Sequence, residues 1–336
     1  MKQRLIYPLL KLVVVGAALF WLSRKVDFAG VRRVLLDANV SWLALAAVLT
    51  LTPVWISGFR WSTLLGTLGI NLPAGRLGLI CQIGQFFGVL VPGLAGDDGT
   101  RLLYVSRLAP GRASQACSTV LLDRLIGFCC LFAVSLVCIP LNWPLLSAQN
   151  STRAVGCGFF IAGSGVVTCC AVLLCLSRSK LEKVVGTVSG LFPSSRLVKD
   201  WAAAADMFAC HKTALLGVAV AALCTQVLIC MTYWTVGRAV GIEQPLLVWM
   251  SFVPMIAVAG VLPITFAGIG VRDYLLFLFL GSSLEGGADR LAALSLLLLS
   301  YTLFSALIGG CVYLFYRANP VSRVSPPRSL VAENSL

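Results

Sequence analysis

The sequence predicts an all-α polytopic membrane protein, and three observations carry that prediction. The 336 residues are 59% hydrophobic and 12% charged, with a mean hydropathy of +0.93, whereas a soluble domain carries about 25% charge. Apolar runs of about 20 residues, the length that crosses the hydrocarbon core, recur along the chain. Two of the runs are broken by Pro, Gly and charged residues, and irregular backbone at membrane depth survives only where it is buried or lines a wet cavity. The expected architecture is about eight transmembrane helices plus one or more re-entrant segments. Residues 1–316 read as a single integral membrane domain and 317–336 as a disordered cytoplasmic tail containing Pro and Ser.

The elements follow in order. Residues 5–22 have a basic start and an apolar run without a small-residue cleavage site, so they read as a first span and not as a signal peptide. A polar connector with Arg24, Lys25, Arg32 and Arg33 follows. The second span, 42–59, contains Pro53, with Arg60 and Trp61 as interfacial anchors at its end. The piece 77–90 is short for a crossing. It reads either as one arm of a re-entrant hairpin or as a tilted short span. Residues 100–112 bring Arg101, Arg107 and Arg112, a basic face on an amphipathic helix.

The third span, 116–139, carries Asp123-Arg124 near its start. Adjacent helical residues point in different directions, so each of the two can reach its own partner. The fourth span, 155–176, is rich in Gly, Ala and Cys, as close helix packing in lipid requires. A basic connector, 178–212, leads to spans at 213–236, 246–262, 274–284 and 291–315. With the N-terminus inside, that connector and the tail also fall inside, although the Arg24–Arg33 connector breaks the positive-inside rule. This count places both broken stretches on the inner side, whereas an inverted repeat would place them on opposite sides.

The charge balance is Lys+Arg 26 against Asp+Glu 13, a net charge of +13. In a membrane protein that excess serves orientation and contact with anionic lipid, and no nucleic-acid module accompanies it. The 13 Cys lie mostly in apolar runs without metal-site spacing, and His211 is the one His, in a basic loop. A metal centre or a bound cofactor is therefore not expected.

Function points to the two broken stretches. The first is Val91-Pro92-Gly93-Leu94-Ala95-Gly96-Asp97-Asp98-Gly99-Thr100-Arg101, and the second runs from Leu262-Pro263 to Ala267-Gly268-Ile269-Gly270-Val271-Arg272-Asp273. Both read Pro, Ala-Gly, Gly, Arg, at intervals that differ by a residue or two, which allows an internal pseudo-repeat. Interrupted segments in corresponding halves point to a transporter's binding site. The plainer alternative is a pair of polar loops at the interface. Arg101, Arg124 and Arg272 are planar, permanently charged groups suited to a phosphate. The glycines Gly93, Gly96, Gly268 and Gly270 let backbone N–H groups approach an anion, and helix N-termini after Gly99 and Gly270 would add positive dipole. Asp97, Asp98, Asp123 and Asp273 balance the arginines or meet a cationic or hydroxylated headgroup.

These residues carry a resemblance. Pro92-Gly93-x-x-Gly96-Asp97-x-x-x-Arg101, then Asp123-Arg124, then Pro263 with Ala267-Gly268-Ile269-Gly270-Val271-Arg272-Asp273, resemble the membrane region of bacterial lysylphosphatidylglycerol synthases/flippases and their stand-alone relatives. The likeness spans roughly residues 5–315. Two departures are Ala95-Gly96-Asp97 where that family usually has Gly-Gly-Asp, and Asp273 where it usually has Glu. The resemblance implies a multi-pass protein of the bacterial cytoplasmic (inner) membrane that moves a phosphate-bearing lipid, a phospholipid or a polyprenyl-phosphate-linked intermediate, between leaflets. The soluble aminoacyl-transfer domain of the bifunctional relatives is not expected after the last span. Two alternatives stay open: an integral-membrane transferase whose Asp97-Asp98 pair holds a divalent cation for a lipid-phosphate donor, and a non-catalytic partner of a glycosyltransferase or lipid synthase.

Overall fold

The structure, a computed structural model, describes residues 28–91, 95–109, 111–147, 149–175, 211–261, 270–281 and 287–316. Every regular element among them is helical: α1 (Phe28–Leu36), α2 (Val40–Thr67), α3 (Ala74–Leu90), α4 (Ala95–Leu108), α5 (Ala113–Leu141), α6 (Trp143–Leu146), α7 (Asn150–Cys175), α8 (Lys212–Ala239), α9 (Leu246–Val261), α10 (Val271–Leu280) and α11 (Gly287–Phe315). Among the described residues four helices, α2, α5, α8 and α11, are long and apolar enough to cross a membrane. The expected first span, most of the 178–212 connector and the tail lie outside the described residues.

The helices form one pattern twice. A 28-residue helix, α2, leads to half-length helices α3 and α4 of 17 and 14 residues, then to the 29-residue α5. Later in the chain the 28-residue α8 leads to α9 and α10 of 16 and 10 residues, then to the 29-residue α11. Each leading helix closes the same way. Gly69 (φ 71°) and Gly241 (φ 78°) take the left-handed conformation that glycine adopts without a Cβ clash. Ile70 N–H then donates to Leu65 O at 3.0 Å, and Ile242 N–H to Gly237 O at 2.8 Å, the Schellman closure. Gly-Ile-x-x-Pro stands at both positions, Gly69 to Pro73 and Gly241 to Pro245, and Ala95-Gly96 recurs as Ala267-Gly268 at the same interval.

Each half-helix pair is a hairpin that begins and ends at one end of the bundle. Arg112, just after α4, donates from Nη2 to Leu68 O at 2.6 Å, just before α3. Arg290, at the start of α11, donates from Nη1 to Gly241 O at 3.0 Å, just before α9. The expected spans 246–262 and 274–284 are thus the two arms of the second hairpin.

The two hairpins open at opposite ends, because α2 and α8 run antiparallel. Asn39 N–H donates to Ala239 O at 3.1 Å, and the Trp42 and Trp234 rings meet edge to face at 5.3 Å. Val218, near the start of α8, packs with Trp61, Leu64 and Leu65 near the end of α2. Asn142, past the far end of α5, donates from Nδ2 to Leu247 O at 3.0 Å, beside the second hairpin's mouth. Tyr316, past the far end of α11, accepts from Arg76 Nε at 3.1 Å, beside the first. The arrangement is that of an inverted repeat, with the two half-helix pairs opening at opposite ends of the bundle.

Burial follows the same division. One apolar core joins the end of α2 to α3, α4 and the start of α5 around Trp61, Leu64, Leu77 and Ile80. The other joins the end of α8 to α9, α10 and the start of α11 around Trp249, Phe252 and Phe279, the last two rings stacked at 5.3 Å. Leu45, Val48, Trp55 and Phe59 lie exposed on the outer face of α2, as an element facing lipid requires. Between the two cores lies a cavity.

Candidate functional site

The cavity has a volume of about 370 Å³ and draws its wall from both repeats: Ser57 and Arg60 on α2, Gln85 on α3, Asp97 and Arg101 on α4, Asp123 and Arg124 on α5, and Arg272 on α10. Thr225, Gln226 and Tyr233 of α8 and Tyr301 and Thr302 of α11 add to its polar lining. Residues far apart in sequence meet here because the two hairpins project toward one another from opposite ends.

Close packing brings α4 into place. A Cβ on Gly96 would fall 2.2 Å from Phe87 O, and one on Gly84 would fall 2.2 Å from Asp97 Oδ1. Gly96 therefore lets α3 and α4 touch backbone to backbone, and Gly84 leaves the gap that seats the Asp97 carboxylate. Asp97 and Asp98 stand in the first turn of α4, where negative charge meets the positive end of the helix dipole.

The charges form a connected network. Asp97 accepts from Arg101, one turn on, at 3.0 Å from Nε and 3.3 Å from Nη2. Its Oδ2 also accepts a short bond from Arg124 Nη2. Arg124 Nε donates to Asp98 Oδ1 at 2.7 Å. Arg101 Nη1 donates to Ser57 Oγ at 3.1 Å and lies 3.7 Å from Asp123 Oδ2. Asp123 in turn is held by Arg60, whose Nη2 reaches both its carboxylate and its backbone carbonyl. Asp123 and Arg124 do turn to different partners, Asp123 to the guanidiniums of Arg60 and Arg101 and Arg124 to the carboxylates of Asp97 and Asp98.

On the opposite wall, Arg272 and Asp273 open α10. Gly270 (φ 93°) precedes the helix, and its N–H donates to Asp273 Oδ2 at 3.0 Å. Asp273 Oδ1 accepts from Arg272 Nε at 3.2 Å and makes a short bond with Ser295 Oγ. Arg272 Nη2 donates to Ser295 O at 3.2 Å. The guanidiniums of Arg60, Arg101, Arg124 and Arg272 are thus answered by the carboxylates of Asp97, Asp98, Asp123 and Asp273. Accessibility separates them: the Arg124 side chain is 29% exposed, the Arg101 side chain 4%.

Several sequence expectations change in this light. Asp97, Arg101, Asp123, Arg124 and Arg272 share one cavity, with Asp98 and Asp273 bonded to its arginines. Gly96 and Gly270 use their special geometry for helix contact and helix capping. Gly99 lies within α4, not ahead of it, so no helix starts after it. Arg101 points inward and leaves the expected basic face. Gly93 and Gly268 lie outside the described residues. Arg60, expected as an interfacial anchor, is instead buried, 5% exposed, seven residues before the end of α2. Trp61 is wholly buried beside it and donates from Nε1 to Thr119 Oγ1 at 2.9 Å.

These features define an all-α, multi-pass membrane protein with a charged cavity where its two repeated halves meet. The particular family follows from comparison with known sequences: the chain belongs to the family described as the lysylphosphatidylglycerol synthase transmembrane region, whose model matches residues 9–310. No curated protein matches the chain. Membership supports a membrane function connected with lipid.

Proposed function

We propose that the protein is a flippase that moves a phosphate-bearing lipid, a phospholipid or a polyprenyl-phosphate-linked intermediate, between the leaflets of a bacterial cytoplasmic membrane. The observation that carries the reading is the cavity itself, where guanidiniums from two oppositely directed half-helix hairpins converge. In this reading both hairpins are re-entrant, one from each side. Discontinuous helices meeting between inverted repeats are how secondary transporters build a midplane site. Charge at that depth is retained where it marks a path.

The geometry shifts the expected roles. From sequence, Arg101, Arg124 and Arg272 are equally suited to holding the phosphate. Arg101 is spent on Asp97 and Ser57, whereas Arg124 is the more accessible guanidinium. Arg124 therefore holds the phosphate in this reading, while Arg60, Arg101 and Arg272, the last bonded to Asp273 and Ser295, keep the carboxylates in place. The transferase alternative needs Asp97 and Asp98 open to a divalent cation, and Arg124 bridges both. A glycosyltransferase or lipid-synthase partner remains compatible with the cavity.

The test is leaflet exchange of a fluorescent phosphatidylglycerol in proteoliposomes, normalised to folded protein. Wild type should accelerate exchange over empty vesicles. Arg124→Lys keeps the charge but loses the planar fork, and should lose most of the acceleration while remaining folded. Wild-type exchange by Arg124→Lys would remove the phosphate role from that residue.

A further inference from the structure

The ion network is balanced, and the balance decides what must accompany an anion into it. Among the described residues Asp98 bonds one cation, Arg124, at 2.7 Å. Asp97 bonds two, Arg124 and Arg101. A phosphate that draws Arg124 away leaves Asp97 with Arg101 but leaves Asp98 with none. The charged groups facing Asp98 are then Asp97 and Arg101 from its own helix, with Arg124 of α5 now on the ligand. From α3, Cys81 faces Asp97 and Arg101, and Gln85 lines the cavity. Asp98 is thus left beside a second carboxylate in a site largely removed from water, and its side chain is 16% exposed. A carboxylate so placed sheds its charge by taking a proton, since like charges at short range disfavour joint ionisation.

We infer that phosphate binding and proton binding are linked at this site: as Arg124 transfers from Asp98 to the lipid phosphate, the Asp98 carboxylate takes one proton from water. This rests on the phosphate-binding reading above and adds an energy source to it. The proton forms an O–H bond on Asp98 when the phosphate arrives, and it returns to water when the phosphate leaves and Arg124 pairs again. The lipid phosphate, a monoanion, and its proton then cross together with no net charge. The direction of lipid movement follows the proton gradient.

The experiment uses the full chain in detergent, with dihexanoyl phosphatidylglycerol as the soluble probe. Proton uptake is read by calorimetry in buffers of different ionisation enthalpy. About one proton should be taken up per phosphate bound at neutral pH, and affinity should fall by up to about tenfold per pH unit above it. Asp98→Asn no longer competes for Arg124, so it should bind the probe more tightly and with uptake near zero. Asp98→Glu should restore uptake. Wild-type binding without proton uptake or pH dependence would overturn the linkage and leave phosphate binding standing. Undiminished uptake by Asp98→Asn would overturn the assignment to Asp98. No wild-type binding at any pH would overturn the phosphate reading, and the linkage with it.

Discussion

Removing Asp123 should cost more than removing either of its partners, and the structure says why. Asp123 is 3% exposed, is bonded by Arg60 and lies 3.7 Å from Arg101. Asp123→Asn therefore strips a counter-charge from two buried guanidiniums. Breaking a buried pair by removing one member costs about 3–5 kcal/mol, and the loss to Arg60 of its carboxylate, with Arg101 left on Asp97 alone, places this change toward the upper end. Arg60→Met leaves Asp123 with Arg101, so its cost should fall near the lower end, about 3 kcal/mol. In the double variant Arg60 and its carboxylate go together, and only Arg101 loses a partner. The double change should therefore cost less than the sum of the singles by about 0.5–3 kcal/mol, the range for residues in one network. Reversible unfolding in mixed micelles supplies the three free energies of the cycle. Singles that add to the double within about 0.5 kcal/mol, as distant independent sites do, would refute the linked network.

Two further outcomes follow. Gly96→Ala puts a Cβ 2.2 Å from Phe87 O and should destabilise the protein by about 1–3 kcal/mol through overpacking. Gly99→Ala, with nothing within 4 Å, should be neutral or slightly stabilising; thermal unfolding of the two side by side checks the α3–α4 contact. Single cysteines replacing Asn71 and Glu243, beside the two hairpin mouths, should label with an impermeant reagent from opposite sides of the membrane. Labelling of both from one side would contradict the inverted arrangement.

Much of this molecule is legible in its residues, for identifiable physical causes. Long apolar runs disclose the long helices, because burying 20 apolar residues in a row suits hydrocarbon and little else. A Pro-Gly break beside paired carboxylates discloses the site, because lipid tolerates neither open backbone nor bare charge. Arg60 escapes such a reading because a lone Arg after an apolar run looks the same whether it ends a helix or lies inside one. The signal that separates the two cases is Gly69: a helix that closes on a left-handed glycine runs to Thr67 and carries Arg60 two turns inward. The repeat is half visible. The broken stretches alone show unequal intervals, since Pro and Arg are displaced by a residue between the halves. The Gly-Ile-x-x-Pro closures and the Ala-Gly pairs keep one interval. Partner choice is out of reach from sequence, because which carboxylate meets which guanidinium depends on how α3 and α4 abut at Gly84 and Gly96.

The most direct measurement asks whether the cavity acts on the phosphate. Proteoliposomes carrying wild-type protein can be loaded with trace fluorescent phosphatidylglycerol or with a diglucosyl diacylglycerol of the same acyl chains, which lacks the phosphate. A phosphate-gripping cavity predicts faster leaflet exchange for phosphatidylglycerol and exchange at the protein-free rate for the glycolipid. Equal acceleration of both lipids, or of neither, would contradict it.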